Sequence, residues 1–443
     1  MNPVDYAKRR ERLFSLIEGG VFILPSARMS LRNNDVYYRF RQDSTFHYFT
    51  GFDEPDAVAV LRNLRGKKEF WIFLRPRDQL RELWDGKRLG VDDAAARLGA
   101  DKAFVATEID RRSREFLDGA ERVYFSSANG PPRAVISSQV MEWLSKLRDS
   151  TPRSSESLLS LLDPAELISE IRLIKEEAEL QRLREASRIT ALAHREAMAR
   201  SRPGLNERQL EALIEFVARE QGAGRMGYEC IVASGANATI LHYIENNRQL
   251  REGDLLLIDA GAEYEYLTAD LTRTFPVSGR FSPEQRALYE VVLAVQKSCI
   301  AMAKPGVTLQ DLHEHAVGAL VDALKGMGLL EGSGDEIIAA QTFKRFYPHG
   351  TGHFLGMDVH DCGRSLLSGQ PRPLQEGMVF TVEPGLYVQT YDEKAPVAFR
   401  GLGVRIEDDI VLTATGCEVL TAAAPKEIAD LEALVGSKPW LAL

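Results

Sequence analysis

Five residues in the second half of the chain have the side chains of a metal site: Asp259, Asp270, His353, Glu383 and Glu407. Each stands in a short run typical of a strand or strand end, with glycines close by: LLLIDAGAEY, LTADLTRTF, HGTGHFLG, VFTVEPGLY and GVRIEDDIV. Two like charges about 4 Å apart repel by about 4 kcal/mol at an effective dielectric constant of about 20. Two divalent cations would turn that repulsion into binding, and a two-metal centre can activate water for hydrolysis.

The two aspartates are expected to face each other across a hairpin. LLLIDAG is typical of a buried strand, GAEYEYLTA of a turn, and DLTRTF of the returning strand. Asp259 ends an apolar run, where an unpaired charge would be costly. The alternative is a polar loop in which both aspartates are solvated. For either aspartate taken alone, this alternative would be the better interpretation.

Three histidines lie in the glycine-rich run HGTGHFLGMDVHD, at His349, His353 and His360. Glycines at this density disfavour a helix and allow the backbone to approach a ligand closely. We interpret His353 as the ligand, and the other two as residues that donate hydrogen bonds or shuttle protons. His313 and His315 have the wrong spacing for an HExxH zinc motif, and we interpret them as surface residues of an amphipathic helix.

The last two carboxylates have informative neighbours. Pro384 restricts Glu383 to an extended conformation at a strand end. Arg405 lies two residues before Glu407 on the same strand face and can hold a ligand carboxylate in place, whereas an exposed Arg–Glu pair is the alternative for these two residues alone. Oxygen-rich ligation with a single imidazole suits Mn²⁺, Co²⁺ or Zn²⁺, and the lack of thiolate ligands argues against a structural zinc.

Length and composition limit the class of protein. The chain has 443 residues, which predicts two domains, and its 44% hydrophobic and 27% charged residues are typical of a globular protein. A net charge of −9 without a Lys/Arg block argues against nucleic-acid binding. The apolar runs are too short for a membrane span or a signal peptide. The four cysteines have no CxxC spacing, which predicts reduced thiols in a cytoplasmic protein. They are Cys230, Cys299, Cys362 and Cys417.

Short strands and helices alternate in the N-terminal third. VFILP, AVAVL, EFWIFL and RVYFS predict strands, and LWDGKRLG and SANGPPR predict turn-rich connections. The polar run STPRSSES predicts a linker at residues 150–157. After it, ELISEIRLIKEEAELQRLREASRITALAHREAMA predicts one long amphipathic helix.

The C-terminal part contains a repeat. AMAR followed by PGLN and AMAK followed by PGVT each end one helix and lead into another, with Asn206 or Thr308 as the next N-cap. A strand-rich stretch follows each helix pair, at residues 229–275 and 377–413. This suggests two α/β halves related by a pseudo-twofold axis, with a site where their sheets meet. Chance similarity between two helical hairpins is the alternative.

The order and spacing of these motifs resemble the metal-dependent Xaa-Pro peptidases of the pita-bread fold, and bacterial aminopeptidase P most closely. RNNDVYYRFRQDSTFHYFTGFDEPDAVAVL is similar to that family's amino-terminal domain, while ILHY, LLLIDAGAEY, ADLTRTFPVSG, HGTGHFLGMDVHD, VEPGLY and GVRIEDD follow its catalytic pattern. The resemblance implies a mixed-sheet α/β domain at residues 1–163, which contributes to oligomerisation and the substrate pocket. It also implies a pita-bread catalytic domain at residues 164–443.

The resemblance further implies a role for each site residue. Two divalent ions, Mn²⁺ in preference to Zn²⁺ or Co²⁺, would hold a bridging hydroxide that attacks the carbonyl before proline. Asp259 would bind one metal, His353 and Glu383 would bind the other, and Asp270 and Glu407 would bridge both. Glu383 would also act as the general base, and His242 would contact the scissile carbonyl. His349 and His360 would lie near the substrate, with Tyr387 and Arg405 as supporting residues. In aminopeptidase P a tryptophan from a neighbouring subunit lines the pocket, and Trp84 matches it, which implies a dimer or tetramer.

We therefore expect a metallo-exopeptidase that releases the N-terminal residue of peptides with proline in second position. One alternative is a prolidase restricted to Xaa-Pro dipeptides, which needs a cation for the dipeptide carboxylate. The loop sequence GTGHFLGMDVHD is intermediate between the aminopeptidase and prolidase versions of this loop. A metal-free pita-bread binding protein and a metal-free hydrolase such as a creatinase are further alternatives, and the complete ligand set argues against both. Methionine aminopeptidase shares that ligand set, but the first 160 residues argue against it.

Overall fold

The computed structural model describes residues 1–126, 131–150 and 160–438. By contacts the chain divides into two compact units, Val4–Ile171 and Met1–Pro3 with Arg172–Leu443. The division by contacts falls inside a helix, Ala165–Leu173. All but the first residue of the linker predicted at 150–157 lies outside the described residues.

The unit Val4–Ile171 is built on a six-stranded mixed sheet in the order β6-β5-β4-β1-β7-β8. Strand β1 pairs antiparallel with β4 and parallel with β7. All six β1 residues are buried, as an uninterrupted apolar run predicts. The strands are β1 Gly20–Pro25, β2 Leu31–Asn33, β3 Val36–Tyr37, β4 Val58–Leu64, β5 Lys67–Leu74, β6 Lys102–Val105, β7 Arg122–Tyr124 and β8 Ser160–Leu162. The helices that begin in it are α1 Tyr6–Leu16, α2 Ser44–Thr50, α3 Gln79–Asp85, α4 Gly90–Leu98, α5 Ile109–Leu117, α6 Pro131–Ser150 and α7 Ala165–Leu173.

One connection predicted in this unit is wrong. The run LWDGKRLG begins inside helix α3, because Asp78 caps the helix and only Gly86, with a φ of 91°, ends it.

The other unit carries two three-stranded antiparallel sheets, β10-β11-β14 and β17-β20-β21, and several two- or three-stranded ones. Its further helices are α8 Glu177–Arg200, α9 Glu207–Glu220, α10 Pro283–Met302, α11 Leu309–Gly326, α12 Gly334–Ala339 and α13 Ile428–Leu434. Its strands are β9 Arg225–Met226, β10 Ile231–Ser234, β11 Leu255–Asp259, β12 Ala262–Tyr264, β13 Leu267–Thr268, β14 Thr272–Pro276, β15 Leu366–Leu367, β16 Gln370–Pro371, β17 Val379–Val382, β18 Gly385–Tyr387, β19 Gly403–Arg405, β20 Asp408–Leu412 and β21 Cys417–Val419. No helix in the described ranges has the length and apolar character needed to cross a membrane.

The repeated Pro-Gly pairs, in PGLN and PGVT, lie at equivalent positions in the two halves of this unit. Gly204 and Gly306 have φ angles of 93° and 94°, and their nitrogens donate to Leu250 O and Leu374 O at 2.9 Å each. The following helices, α9 and α11, both begin with a capping box. Three matching structural features make chance similarity a poor explanation, and the predicted pair of α/β halves is confirmed.

The prediction of one long helix from residue 166 is wrong, because α7 and α8 are separated at residues 174–176. Ile174 forms a bridge with Met378, and Lys175 Nζ lies 2.8 Å from Asp361 Oδ2. A capping box of Glu176 and Glu179 then starts α8. Tertiary contacts therefore break a segment whose periodicity favours a continuous helix.

Candidate metal centre

The two halves place their acidic residues at strand ends. Asp259 is the last residue of β11, Glu383 follows β17, and Glu407 lies between β19 and β20. The predicted pairing of Asp259 with Asp270 across a hairpin is wrong, since Asp259 pairs with Thr272 in the ladder. The two aspartates nevertheless approach each other, because Tyr228 Oη lies 2.5 Å from Asp259 Oδ1 and 2.5 Å from Asp270 Oδ1.

His353 lies among these carboxylates. Its Nε2 is 3.4 Å from Asp270 Oδ2 and 3.6 Å from Glu383 Oε1. One ligand atom each from Asp270, His353 and Glu407 falls within 4.8 Å of the others. His353 Nδ1 lies 3.1 Å from the Phe354 carbonyl oxygen, so that Nδ1 carries a hydrogen and Nε2 is the ring nitrogen available to a metal ion among the carboxylates.

The centre lies in a cleft of about 350 Å³. All five candidate ligands line it, together with Leu241, His242, His349, Gly350, Gly352, His360 and Arg405. The His360 ring packs edge-on against the His353 ring, with centroids 4.3 Å apart. Trp84 belongs to the other compact unit, on α3, and is 84% exposed.

A chain of hydrogen bonds crosses the back of the cleft. The Arg405 guanidinium is hydrogen-bonded to Asp259, and its Nη1 donates to Tyr387 Oη at 3.1 Å. Tyr387 Oη lies 2.9 Å from His349 Nε2. Arg405 therefore contacts the carboxylate of Asp259 rather than that of Glu407, although Glu407 is its near neighbour in sequence.

Close backbone packing fixes the loop that carries His353. A Cβ on Gly352 would lie 2.0 Å from the Thr381 carbonyl oxygen. His353 N donates to Thr381 Oγ1 at 3.1 Å, and Thr381 N donates to His353 O at 3.0 Å. Glu383 N donates to Thr351 O at 2.8 Å. The glycine-rich run thus allows the backbone to approach a protein strand, which sets the distance between His353 and Glu383.

The electrostatics of the centre fit two divalent cations. Burial, followed by the neighbouring carboxylates, raises the pKa of Glu407 well above its ordinary value. Burial raises the pKa of Glu383 to about 7, against the opposing effect of His353. Burial would lower the pKa of His353, but Asp270 and Glu383 raise it to about 9. When ionised, the four carboxylates outnumber the guanidinium of Arg405 and the imidazolium of His353, and hard divalent cations favour such oxygen donors.

Several residues that hold the ligands have no signature in the sequence. Besides Tyr228, Asp409 accepts hydrogen bonds from the Asp270 nitrogen at 3.0 and 3.2 Å. Arg273 and Asp408 form a fully buried ion pair, and Arg273 Nη1 donates to Glu407 O at 2.6 Å. The only sequence signal was the acidic run EDD, which could equally be an exposed turn.

The interpretation of His313 and His315 as surface residues is wrong. Both are half-buried on α11. His313 Nδ1 lies 3.0 Å from Thr351 Oγ1, and His315 Nε2 lies 2.8 Å from Ser298 Oγ. Burial lowers the pKa of His313, which keeps it neutral beneath the loop that carries the site histidines.

Known proteins resemble the chain along nearly its whole length. The model of metallopeptidase family M24 matches residues 181–414, and that of the aminopeptidase P N-terminal domain matches residues 6–124. Xaa-Pro aminopeptidase of Escherichia coli strain K12 is 40% identical, with 97% of each chain covered. Pseudomonas aeruginosa aminopeptidase PepP superposes with a TM-score of 0.93 at 43% identity, over 98% of each chain. Zinc-substituted E. coli aminopeptidase P in complex with product gives 0.93 at 39% identity, also over 98% of each.

Proposed function

Since the chain belongs to metallopeptidase family M24, we propose that its acidic centre hydrolyses the bond between an N-terminal residue and a following proline. The observation that carries this proposal is the convergence of four carboxylates and one imidazole from both halves on a single cleft. Two relatives that match the chain over 97% of their own length are Xaa-Pro aminopeptidases. The enzyme is thus a metal-dependent exopeptidase that acts on the N-terminus of proline-containing peptides.

Two metal ions would be held by five side chains. Asp259 would bind one ion, His353 and Glu383 the other, and Asp270 and Glu407 would bridge the pair. The short distance from His353 Nε2 to Asp270 and the Tyr228 link between the aspartates support this assignment. An oxygen-rich set with one imidazole favours Mn²⁺, with Zn²⁺ or Co²⁺ as alternatives. Bound cations supply a nucleophile from water near neutral pH and polarise the scissile carbonyl.

Glu383 is the candidate general base. Its side chain lines the cleft in which the ions would hold a water molecule, so the carboxylate is placed to accept a proton from that water. One of its oxygens, Oε1, lies 3.3 Å from Thr381 Oγ1. The other, Oε2, is 3.8 Å from His349 Nδ1. These contacts orient the carboxylate toward the cleft.

Three histidines would contact the substrate. Burial, then the charge of Arg405, lowers the pKa of His349 to about 4, so this side chain acts through hydrogen bonds rather than charge. Its Nδ1 faces the Gly350 carbonyl at 2.7 Å, which leaves Nε2 to accept from Tyr387. His242 would contact the scissile carbonyl, and His360, whose pKa is lowered by burial, would lie near the developing tetrahedral carbon.

The proline preference has a physical basis. A peptide bond to proline is a tertiary amide without an N–H, so an enzyme cannot hold it by that group. Strong activation of the carbonyl must replace the missing contact, and a two-metal centre provides it. A preformed cleft that also accommodates the pyrrolidine ring would complete the specificity.

The charges in the cleft favour the aminopeptidase over the prolidase. A prolidase needs a cation that is available to the carboxylate of its dipeptide. Among the described residues that line the cleft, Arg405 is the only permanent cation, and its guanidinium is already hydrogen-bonded to Asp259 and Tyr387. A longer substrate does not require such a partner, because its second peptide bond is uncharged. The metal-free alternatives have no support, since all five candidate ligands are present.

The remaining proposals concern assembly and location. Residues 164–443 would carry catalysis, while residues 1–163 would supply oligomer contacts. An exposed Trp84 supports a homo-oligomer, in which a neighbouring subunit's indole completes the pocket. All four cysteines are free thiols, which supports a cytoplasmic location.

The decisive experiment compares a dipeptide Xaa-Pro with a tripeptide Xaa-Pro-Xaa of the same first residue. We expect Mn²⁺-loaded protein to release that residue from the tripeptide, and the chelated protein to lose this activity. Restoration by added Mn²⁺ shows that the ion is required. Cleavage of the dipeptide alone would establish the prolidase, and inactivity toward both with two ions bound would refute the proposal.

A further inference from the structure

His242 lies in a segment without helix or strand. Between Ile240 and Arg248 the chain forms only turns and irregular backbone. His242 itself is exposed and lines the metal cleft. No ladder of backbone hydrogen bonds holds such a segment, so its position depends on the side chains that attach it to the fold.

Two buried side chains attach the segment. Tyr243, the next residue, is 6% exposed, and Asn246 is fully buried. The Asn246 amide accepts from Val232 N at 2.9 Å and donates to Cys230 O at 2.8 Å. A φ of 45°, which Asn tolerates better than most residues, allows the chain to bring that amide to the edge of β10.

The Tyr243 hydroxyl meets a buried carboxylate. Glu207, the first residue of α9, is 0% exposed, and Tyr243 Oη donates to its Oε2 at 2.8 Å. The same oxygen accepts from Arg248 N at 2.9 Å. The other carboxylate oxygen accepts from Ser234 N and Ser234 Oγ at 2.7 Å each, and from Asn237 Nδ2 at 3.2 Å.

This carboxylate therefore has five donors, which join α9, the end of β10 and both ends of the His242 segment. Hydrogen bonds to a charged acceptor are shorter and stronger than neutral ones. Movement of any one donor away from the buried Glu207 carboxylate would leave a buried polar group without a partner. The segment that carries these donors is therefore held firmly in place.

We propose that Glu207 and Tyr243 are positioning residues for His242. They anchor the irregular segment on the side away from the cleft, so that the imidazole reaches the substrate carbonyl in one fixed orientation. The inference rests on the proposed function, because it assigns His242 to the scissile carbonyl. Neither residue lines the cleft itself, so their effect passes through His242.

The test is a double-mutant cycle with Tyr243→Phe and His242→Ala, assayed with a Xaa-Pro-Xaa tripeptide on Mn²⁺-loaded protein. Tyr243→Phe removes one hydroxyl and leaves Glu207 with its other four donors. We expect kcat to fall roughly 10-fold, with KM changed by less than about 2-fold. In the His242→Ala background the same substitution should change kcat by less than about 2-fold.

Tyr48→Phe is the matched control, because Tyr48 is also buried and donates to a backbone carbonyl, that of Ile171, in the other compact unit. We expect kcat to be unchanged in this variant. If Tyr243→Phe does not yield folded protein, Glu207→Gln, which disturbs the same contact, should show the same dependence on His242.

An equal loss of kcat in both backgrounds would overturn the proposal, because it would show a structural effect independent of His242. No loss in the wild-type background would also overturn it. A fully active His242→Ala variant would remove the basis for positioning while leaving the peptidase function intact. Failure of the proposed function is a distinct result, since wild-type protein with two ions would then not cleave the tripeptide.

Discussion

The Thr272 hydroxyl donates a hydrogen bond to Glu407 Oε2 at 2.7 Å, and the Glu407 nitrogen donates to the Thr272 carbonyl at 3.1 Å. Thr272 begins β14 in the first half of the unit that contains Arg172–Leu443, and Glu407 precedes β20 in the second half. The same hydroxyl accepts from Arg405 Nε at 3.0 Å. A small polar side chain thus joins a candidate bridging ligand to the arginine that holds Asp259.

We expect Asp270→Ala and Glu407→Ala each to lose both metal ions and nearly all activity, because each side chain would bridge the pair. Thr272→Val keeps the shape of the residue but removes the hydroxyl, and should weaken metal binding by about 10-fold, or about 1.4 kcal/mol. Metal analysis of the dialysed proteins, with titration of the chelated forms, measures both effects.

His242→Ala is the control for this series, since the imidazole lines the cleft outside the five-residue set. It should retain two ions per chain, with a kcat that is lowered but still measurable. Full retention of both ions in Glu407→Ala would contradict the bridging role.

The types of the ligands could be predicted from the sequence, because carboxylates that end apolar runs are costly without a partner. Their supports could not be predicted. Tyr228 and Asp409 reach the aspartates through tertiary packing, and neither has a spacing that marks it. Similarly, the apparent hairpin between Asp259 and Asp270 contains two extra strands, β12 and β13, that alternation alone does not reveal.

The sequence predicts the fold better at the repeated Pro-Gly pairs than at the break between α7 and α8. Gly204 and Gly306 adopt the left-handed conformation that glycine favours, so the local signal and the structure agree. The break between α7 and α8 has no such signal, because Lys175 leaves the helix to meet Asp361, far away in sequence. Long-range ion pairs of this kind override helical periodicity.

Gly352→Ala should disrupt the metal centre. The added Cβ would lie 2.0 Å from the Thr381 carbonyl oxygen, so the loop must move away from β17 and carry His353 with it. We expect the free energy of unfolding to fall by at least about 2 kcal/mol. The ion that His353 and Glu383 would hold should also bind more weakly. Denaturant unfolding and metal titration measure the two effects.

Gly350→Ala is the matched control on the same loop, since its nearest neighbour to an added Cβ is Gly352 O at 4.0 Å. Its stability should stay within about 0.5 kcal/mol of the wild type. Equal destabilisation by both substitutions would show that loop flexibility, rather than close packing at Gly352, explains the loss.

Trp84→Ala should impair tripeptide cleavage more than dipeptide cleavage, because a pocket wall supplied by a neighbouring subunit would contact the longer peptide. The side chain is 84% exposed, so its loss should not lower the stability of the chain by more than about 0.5 kcal/mol. Kinetics with both peptides should be combined with sedimentation to determine the oligomeric state. Equal effects on the two peptides would exclude Trp84 from the pocket.

His194 should make the stability of the protein depend on pH. It is fully buried on α8, its Nε2 lies 3.1 Å from the Ala260 carbonyl oxygen, and its Nδ1 has no hydrogen-bond partner among the described residues. Nε2 therefore carries the hydrogen, and a proton on Nδ1 would be a buried charge without an acceptor. Burial accordingly lowers the pKa of His194 from 6.5 to about 3.

Because the folded-state pKa is lowered, the unfolded chain binds this proton more readily. The contribution of neutral His194 is fully present above about pH 6.5 and is lost as the pH falls toward about 3. Between pH 7 and pH 5 this lowers the free energy of unfolding by about 2 kcal/mol. His194→Gln retains an N–H donor but does not titrate, so its stability should fall less over the same interval. Urea unfolding at equal Mn²⁺ concentration measures the difference, and parallel pH profiles for the two proteins would assign the acid sensitivity to other groups.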